Sequence, residues 1–493
     1  LTGGTKDVLA PKIVIDTTVL KEPVNFKSNE IILNFNENIQ FIKGKRSILI
    51  NPPLENKEII CEEKKLTVKW EDSLSPKTTY TFNFRESIAD LTEKNKIPLL
   101  SYTFSTGEYI DSGLFEGNVI IYPKKKPAEE FLIKLQAIAS EQREYYGFTD
   151  LQGKFKIKNI IKGEYFITAY EDKNKDFVLD TLNGVQGFMI DTISIIDTCE
   201  AYTIDAFEPD KKIKIENLTL NNLGLLEVEF NQSIDSCVVT DTNSKTNYYS
   251  FEDKTKHQFY INDTAKKYIL IINGKSAAFC DTLRAIPKEK GIELKLLSYK
   301  KSQNIGLSYN PNLDLLFNQF ITRIDTSKLE LSKDSIPISY KSSHERNLLK
   351  IAPLTGPGNY TLTFFPESVK GIKYDKEDTS LVNFNLKSNE ELSSFELSIQ
   401  NIPHHNSIVQ IIQNEIIKKE FTFKGQTIDT VFKNCYPGNY NIKIISDKDN
   451  NNYWTSGDIK KQRLPEEIYF YQDEIKLKKN WTTNVNWDFK ALD

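Results

Sequence analysis

The chain has 493 residues, 39% of them hydrophobic and 27% charged, with a formal net charge of −4. The composition is that of a globular protein, no apolar run approaches the roughly 18 residues of a membrane span, and slight acidity argues against a nucleic-acid binder. The single methionine is Met189. Because the chain opens at Leu1, we expect that a preceding segment was removed, most simply a signal peptide or the front of an expressed chain. The length favours about three to five domains.

Strand signals dominate the chain. Short runs rich in Ile, Val, Phe and Tyr alternate with polar residues and end at Asn, Asp, Gly or Pro; they include EIILNF, LTVKW, TYTFNF, FKIKNI, EYFITAY, LLEVEF, YILIING, YTLTFF and NYNIKII. Period-2 alternation indicates one buried and one solvated face. The best helical candidate, 127–142, fits a strand equally well. We predict an all-β protein, a string of antiparallel β-sandwiches.

A first internal repeat is the pattern Phe-Asn-x-x-Ile. It occurs at 35–39, 230–234 and 317–321, each time after an apolar run. The first and third copies are followed some 40 residues later by matching strands, 80–84 and 360–364. We interpret these as three copies of one module, in which Phe packs in the core and Asn accepts from turn backbone.

A second repeat is Lys-Asn-x-x-x-Gly-x-Tyr-x-Ile followed by Asp-Lys. It starts at Lys158 and again at Lys433, with every offset preserved across a shift of 275. Gly suits a turn with positive φ, and Tyr and Ile two apart face the same side of a strand. The predicted order, with A for the first module and B for the second, is A-B-A-A-B. After a tether at 1–9, the domains are 10–110, 111–209, 210–290, 291–388 and 389–493.

Both modules resemble known families. LSPKTTYTF at 74–82 and YTFSTGEYIDS at 102–112 resemble the bacterial, S-layer-type Ig-like domain. The second module resembles the transthyretin-like or carboxypeptidase-regulatory β-sandwich, whose signature is supplied by Gly153, Phe155, Ile157, Asn159, Ile160, Gly163 and Tyr165. The resemblance implies tandem Ig-like and transthyretin-like sandwiches. It is weak over 210–300, where the Ig-like copy lacks the Tyr-Thr strand.

The opening GGTKDVLAPKIV and the late stretches DKDNNNYWTSGDI and LPEEIYFY resemble a Bacteroidota lipoprotein family. This resemblance implies an outer-membrane protein anchored by a lipidated Cys directly before Leu1, and 1–9 would then be a flexible tether. The alternative is an ordinary secreted protein whose signal peptide was cleaved at another position, without a lipidated Cys. Whether the protein faces the cell surface or the periplasm stays open, with the surface slightly favoured.

Each copy of the second repeat is followed by an acidic loop. Calcium takes six to eight oxygens, and an EF-hand-type loop supplies them at positions 1, 3, 5, 7, 9 and 12. In the second loop these positions are Asp447, Asp449, Asn451, Tyr453, Thr455 and Asp458. The first loop is weaker and offers Asp172, Asn174, Asp176, Val178 and Asp180. The candidate cofactor is structural calcium, and the alternative is two Asx-rich turns without metal.

The five cysteines are scattered and lack the C-x-x-C spacing of zinc or thioredoxin-type sites. Cys237 and Cys280 fall in one predicted domain, each near a strand-like run. A disulfide between them in an oxidising compartment and two buried thiols are equally favoured.

Asp-Ser/Thr followed by Ala, Ile, Leu, Met, Thr or Val is the O-glycosylation pattern that the Bacteroidota resemblance implies. Eight such acceptors occur: Thr17, Ser73, Thr181, Thr192, Thr264, Thr282, Ser335 and Thr430. That exceeds the one or two expected from composition, so we expect partial glycosylation. Turn and strand-entry preferences explain part of the excess.

No catalytic constellation is found. The four histidines match no catalytic spacing, and His404-His405 after a proline fits an exposed loop. Trp481 and Trp487 would face the same side of the terminal strand, with core packing the favoured role. We therefore expect that the protein is not an enzyme. We expect a scaffold or accessory subunit of an outer-membrane β-barrel complex that serves protein assembly, export or nutrient uptake, and no nucleic-acid partner. The alternatives are a glycan-binding or adhesive surface protein, and a hydrolase with unrecognised carboxylates.

Overall fold

The structure is a computed structural model. It describes residues 7–14, 23–42, 48–98, 100–139, 143–197, 201–209, 213–221, 225–231, 237–241, 247–250, 255–260, 268–274, 280–285, 287–288, 296–302, 312–317, 320–345, 347–352, 354, 356–371 and 378–492. For most of 237–302 the description is limited to the backbone. The chain divides into two compact units, Leu1–Asp210 with Thr455–Glu466, and Lys211–Trp454 with Glu467–Asp493.

The N-terminal unit contains seventeen strands in its described residues. They are β1 Glu30–Asn34, β2 Ile39–Phe41, β3 Leu49–Asn51, β4 Lys57–Glu62, β5 Lys65–Trp70, β6 Thr79–Arg85, β7 Ile88–Asp90, β8 Leu100–Ser105, β9 Gly113–Ile121, β10 Lys126–Pro127, β11 Leu132–Ala137, β12 Glu144–Phe148, β13 Lys154–Ile160, β14 Gly163–Tyr170, β15 Gln186–Phe188, β16 Ile193–Ile195 and β17 Tyr202–Phe207. A 3-10 turn, Ile459–Lys461, also belongs to this unit.

The other unit is likewise built of strands. In its described residues they are β18 Ile215–Asn221, β19 Leu225–Phe230, β20 Cys237–Asp241, β21 Asn247–Ser250, β22 Lys256–Tyr260, β23 Tyr268–Gly274, β24 Cys280–Ala285, β25 Pro287–Lys288, β26 Leu296–Ser302, β27 Asn312–Phe317, β28 Ile321–Ile324, β29 Leu329–Lys333, β30 Ile336–Pro337, β31 Lys341–Glu345, β32 Leu348–Ala352, β33 Gly358–Phe364, β34 Val369–Gly371, β35 Ser380–Leu386, β36 Ser393–Gln400, β37 Asn406–Gln413, β38 Ile416–Lys424, β39 Ile428–Cys435, β40 Gly438–Ser446, β41 Ile468–Phe470, β42 Ile475–Leu477 and β43 Thr482–Asp488. Short 3-10 helices lie at Thr326–Lys328, Asn389–Glu391 and Phe489–Leu492.

The protein is therefore all-β, a tandem array of antiparallel sandwiches, as predicted. The segment 127–142, which fitted helix and strand equally, forms β11 at Leu132–Ala137. None of the helices in the described ranges has the length and hydropathy of a membrane span.

The Ig-like modules share one pattern of strand pairing. In the first module the sheets are β1-β5-β4, β2-β7 and β3-β6-β8. The same pairings recur as β27-β32-β31, β28-β34 and β29-β33-β35 within 291–388. Between 210 and 290, β19-β22-β21 and β20-β23-β24 repeat the two main sheets. The strand expected to be missing in that copy is present as β23, so loss of the Tyr-Thr motif did not remove the strand.

The two transthyretin-like modules also match strand for strand. In the first, β9 pairs with β13 and in parallel with β17, while β14 pairs with β11, β15 and β16. In the second, β36 pairs with β39 and in parallel with β43, while β40 pairs with β37, β41 and β42. The sequence repeat at a shift of 275 thus corresponds to one topology used twice. The five-domain boundaries themselves stay a prediction.

The first repeat motif, Phe-Asn-x-x-Ile, can be compared with the local roles expected of it. Phe35, Phe230 and Phe317 are all buried in the core. The side-chain oxygen of Asn36 accepts from the backbone N–H of Lys12 at 2.7 Å, and the second copy repeats this bond. The acceptor role of Asn is confirmed, but its donor is a preceding extended segment and not a turn.

Candidate functional site

The first two modules meet through the side chain of Asn51. This residue ends β3 and is buried; its amide donates to the carbonyl oxygen of Tyr146 at 2.7 Å and accepts from the Tyr146 N–H at 2.8 Å. A side-chain amide offers the same donor and acceptor as a peptide group. Because β12 is the last strand of its sheet, Asn51 pairs with that edge much as a neighbouring strand would.

Apolar side chains make the same junction dry. Leu49, two residues before Asn51, forms a cluster with Leu132, Tyr146 and Tyr170, and all four are at most 7% exposed. Phe177 packs against the cluster, with its ring centroid 5.2 Å from that of Tyr146 in an edge-on arrangement. Desolvation of this kind strengthens the Asn51 hydrogen bonds, because water cannot compete for them.

Polar contacts extend the junction on either side of the apolar cluster. The guanidinium of Arg85 donates to both carboxylate oxygens of Glu130 at 2.8 Å and lies 4.1 Å from the ring centroid of Phe148. The amide of Asn159, a residue of the second repeat, donates to the Thr81 hydroxyl at 3.1 Å. Together with the Asn51 pairing and the apolar cluster, these two polar contacts fix the second module against the first. The sequence carried no signal for them, because each partner is distant in the chain.

A cleft of about 420 Å³ opens beside this junction, within the N-terminal unit. Its lining is mainly apolar and includes Leu49, Leu54, Ile59, Tyr146 and Phe177, with Glu55, Lys57 and Glu58 also contributing. The Lys57 ammonium donates to the Leu54 carbonyl oxygen at 2.5 Å. Burial lowers the pKa of Lys57, although Asp72 and Glu55 oppose that shift.

The first acidic loop is ordered by its own backbone. Asp172 accepts from the N–H groups of Asp176 at 3.1 Å and Phe177 at 3.3 Å, and Asp176 accepts from the Val178 N–H at 2.9 Å. Asp180 accepts from two N–H groups that follow it. Phe177 has a positive φ of 64°, and its ring packs on the module junction. These are the Asx-type bonds of the metal-free alternative.

The second acidic loop repeats this geometry. Asp447 is buried and accepts from the N–H groups of Asn451 at 3.0 Å and Asn452 at 3.1 Å, the same offsets as at Asp172. Asn452 has a φ of 65°, like Phe177 in the first loop. Asp449 accepts from the Asn451 amide at 3.0 Å, and Asn451 accepts from the Tyr453 N–H at 2.8 Å. The carboxylates retain lone pairs that a cation could use.

The last two predicted calcium ligands have partners elsewhere. Thr455 and Asp458 belong to the N-terminal unit, whereas 447–453 belong to the other. Asp458 caps the short helix 459–461 by accepting from the N–H groups of Lys460 and Lys461. The Thr455 N–H donates to the Glu466 carboxylate at 2.9 Å. Calcium binding by either loop stays a prediction.

A charged cluster that sequence reasoning missed centres on Glu467. Its carboxylate accepts from the Tyr469 hydroxyl at 2.6 Å, lies 2.8 Å from the His404 Nε2 and accepts from the Lys448 ammonium at 3.1 Å. Burial of this carboxyl would raise its pKa, but these three donors outweigh burial and lower the pKa to about 2. Both histidines lie in the loop between β36 and β37, as expected; His405 is exposed, whereas the His404 side chain is 33% exposed and therefore half-buried.

The terminal tryptophans differ in burial. Trp487 is 5% exposed and packs in the core, whereas Trp481 is 65% exposed. The favoured core role is therefore right for Trp487 and wrong for Trp481. Trp481 directly precedes β43 and lies outside the strand.

The proposed disulfide is not brought together by the backbone. Cys237 lies on β20 opposite Gly274, and Cys280 lies on β24 opposite Asn273, so β23 separates the two cysteines. Two strand spacings of about 4.8 Å place their Cα atoms about 10 Å apart. A disulfide needs a Cα separation below about 7 Å, so this backbone pairing favours the alternative of two thiols.

The glycosylation acceptors that the structure describes are accessible. Ser73, Thr192 and Ser335 are exposed, and Thr181 and Thr430 are half-buried. Thr17 and Thr264 lie outside the described residues, and Thr282 lies on β24 with its side chain undescribed. Accessibility permits modification at five positions, but glycosylation itself stays a prediction.

Comparison with known proteins gives one family match. Residues 7–106 match the model of the bacterial Ig-like domain, so the first module is an Ig-like domain. No curated protein matches the chain.

Solved structures give weak similarities. The chain is similar to BcpA, the major pilin subunit of Bacillus cereus, at 12% identity over 76% of this chain and 98% of that chain, with a TM-score of 0.16. It is also similar to the Bacillus anthracis TIE protein, at 12% identity over 99% of this chain and 75% of that chain, with a TM-score of 0.17. A chimeric titin Z1Z2 gives 10% identity over 36% of this chain and 96% of that chain, with a TM-score of 0.16. At these values none of the three bears on function.

Proposed function

We propose that this protein is a non-catalytic scaffold or accessory subunit of an outer-membrane β-barrel complex, held to the membrane by a lipidated Cys before Leu1. The complex would serve protein assembly, export or nutrient uptake. The lipid anchor and the Bacteroidota outer membrane rest on the resemblance of the opening GGTKDVLAPKIV and the late stretch DKDNNNYWTSGDI. Structural calcium and O-glycans are part of the same proposal and rest on the acidic loops and the acceptor pattern.

The single observation that carries the scaffold role is the built junction between the first two modules. A flexible string of domains would expose polar linkers between them. Here Asn51 is buried against the Tyr146 backbone, and Leu49 is sealed in an apolar cluster. Such a junction holds two modules at one angle, which suits a subunit that spaces other proteins and does no chemistry itself.

Affinity purification from native membranes tests the proposal. The tagged full-length protein, extracted in mild detergent, should bring down one β-barrel complex in fixed stoichiometry, and its native N-terminus should carry an acylated Cys by mass spectrometry. Recovery of the protein alone, with an unmodified N-terminus, would contradict it. A matched purification of a variant whose preceding Cys is replaced by Ser separates loss of the anchor from loss of the partner.

A glycan-binding role is the second candidate, and Trp481 favours it. A tryptophan ring that is 65% exposed offers a face on which a sugar ring can stack. Trp481→Ala should then abolish retention on a glycan array, whereas Tyr109→Ala, at a 67% exposed aromatic residue in the N-terminal unit, should not. Equal retention of both variants would remove this candidate.

A further inference from the structure

The cleft beside the module junction is bordered by a sheet edge. Strand β4 is the last strand of the sheet β1-β5-β4, and its residues Lys57, Glu58 and Ile59 line the cleft. The last strand of the neighbouring module, β12, contributes Tyr146 to the same cleft. Within the part of the chain that the structure describes, an apolar cavity and the open edge of a strand therefore adjoin.

The hydrogen-bond register shows which β4 groups point outward. Glu71 donates its N–H to the Asn56 carbonyl oxygen, and 56 and 71 continue the register that pairs Glu58 with Lys69. In antiparallel strands only every second residue bonds to a given neighbour. Residues of even number therefore bond to β5, so the N–H and C=O of Ile59 are directed away from the sheet, toward the edge beside the cleft.

The cavity and the edge together select the chemistry of an occupant. A sugar or a lipid chain could fill an apolar cleft, but neither presents a repeating N–H and C=O to a strand edge. An extended peptide presents both, and its alternate side chains point into pockets beside the edge. The cleft volume of about 420 Å³ lies within the range of about 300–1,000 Å³ that is usual for binding pockets.

The charged residues at and near the cleft indicate the net charge of that peptide. On the outer face of the sheet Lys69 lies opposite both Glu30 and Glu58. Lys57 is influenced by Asp72 and Glu55. Of the charged residues that line the cleft, two are carboxylates, Glu55 and Glu58, and one is an ammonium group, Lys57; this excess of negative charge favours a basic segment.

The equivalent edge in the Ig-like module at 291–388 is different. Strand β31, Lys341–Glu345, pairs with β32 as β4 pairs with β5, and its sequence is KSSHE. It has no apolar residue, and four of its five residues are exposed. The fold therefore does not require an apolar edge at this position, and of these two modules the first combines one with a cleft.

We propose that this surface, comprising the β4 edge and the cleft, binds an extended basic segment of a partner protein by strand addition. One large apolar side chain of the segment fills the cleft. Its backbone pairs with Ile59, and its lysines or arginines lie beside Glu55 and Glu58. This inference does not depend on which membrane complex the protein serves.

Fluorescence anisotropy with a defined probe tests the proposal. The probe is a labelled nine-residue peptide of alternating lysine and valine with phenylalanine at its centre. A second probe carries N-methyl groups on the backbone amides that would face β4, and a third has glutamate for every lysine. The full chain should bind the first probe saturably, and the other two at least tenfold more weakly. Equal binding of the N-methylated probe would overturn strand addition.

Charge reversal at exposed positions locates the site without disturbing the core. The double variant Glu55→Lys with Glu58→Lys should weaken binding of the first probe at least tenfold, whereas Glu345→Lys on β31 should leave it unchanged. A benzophenone at the central position of the probe should cross-link to 48–59. Absence of saturable binding, equal loss in both variants, or cross-links only outside the cleft would each overturn the proposal.

Discussion

The first Ig-like module and the one at 291–388 have the same strand pairing but use the outer face of one sheet differently. In the first, Leu49 and Asn51 on β3 lie opposite Asn83 and Thr81. The equivalent residues of β29 are Glu330 and Ser332, opposite Thr363 and Thr361. Leu49 and Asn51 are buried, whereas Glu330 is exposed and Ser332 is half-buried.

The difference shows that the fold of the Ig-like module does not dictate what it contacts. Both modules bury the inward residues of this strand, such as Ile50 in one and Leu331 in the other. The outward positions are free to vary, since they do not enter the core. In the first module they carry an apolar side chain and an amide that fit the next module; in the other they carry side chains that suit water.

The largest expected effect comes from Asn51→Ala. This variant leaves the buried N–H and C=O of Tyr146 without their partner, at a cost of about 2–4 kcal/mol in the free energy of unfolding. Ser332→Ala is the matched control, because its hydroxyl is half-buried and makes one long bond of 3.4 Å to Thr361; it should change stability by about 0.5 kcal/mol or less. Urea unfolding of the full chain, followed by tryptophan fluorescence, measures the change in the free energy of unfolding for both variants. Equal losses of stability for Asn51→Ala and Ser332→Ala would contradict the claim that the outward residues of β3 and β29 have different roles.

A smaller effect is expected from Arg85→Ala, which removes the paired bonds to Glu130 and the stacking on Phe148. Because the Glu130 side chain is 61% exposed, solvent screens the ion pair, and we expect a loss of about 1 kcal/mol. Arg323→Ala, at an exposed arginine in the Ig-like module at 291–388, should have no measurable effect on the free energy of unfolding. If Arg85→Lys is as stable as the wild type, the paired bonds and the stacking of the planar guanidinium do not contribute to stability.

The Glu467 cluster should contribute to stability in a defined pH window. The pKa of the Glu467 carboxyl is lowered from 4.5 to about 2. The contribution of this carboxylate to the free energy of unfolding is therefore complete above pH 4.5 and is lost as the pH falls from 4.5 towards 2. Glu467→Gln should remove this acid dependence and cost less than about 1 kcal/mol at pH 7, since the side chain is 46% exposed. Glu415→Gln, at an exposed hairpin, is the control. Identical acid unfolding curves for Glu467→Gln and the wild type would reject the contribution of this cluster.

The smallest expected effect is that of calcium. At a calcium concentration equal to Kd, binding to the native state stabilises it by about 0.4 kcal/mol. The melting temperature should therefore rise slightly from EDTA to calcium, and Asp447→Asn should abolish the rise. Asp172→Asn tests the weaker loop in the same way. No shift with calcium in the wild type would leave both loops as Asx turns.

Much of the architecture followed from the sequence, because strand alternation and the two repeats reflect inward residues that every copy must bury. The buried Phe35 and Phe317 and the conserved turn geometry at Asp172 and Asp447 are of this local kind. Absence of the Tyr-Thr motif between 210 and 290 was misleading, since strand β23 formed from other β-favouring residues.

The junction between the first two modules and the Glu467 cluster could not be predicted, because both join residues far apart in the chain. Asn51 and Tyr146 are separated by 95 positions, and His404 and Glu467 by 63. Neither pair lies in a motif with fixed spacing. The choice between a disulfide and two thiols at Cys237 and Cys280 could not be made from sequence for a related reason: membership of one domain does not say how many strands lie between two cysteines.

Hydrogen exchange on the full chain, read by mass spectrometry, tests most directly whether the first two modules form one block. In the wild type, 48–51 and 144–148 should exchange slowly, because Asn51 protects the Tyr146 amide within a dry junction. Asn51→Ala should accelerate exchange in both segments and leave 329–333 unchanged. Unchanged exchange at 144–148 in this variant would contradict the account, because the two modules would then be joined in sequence but not by the junction.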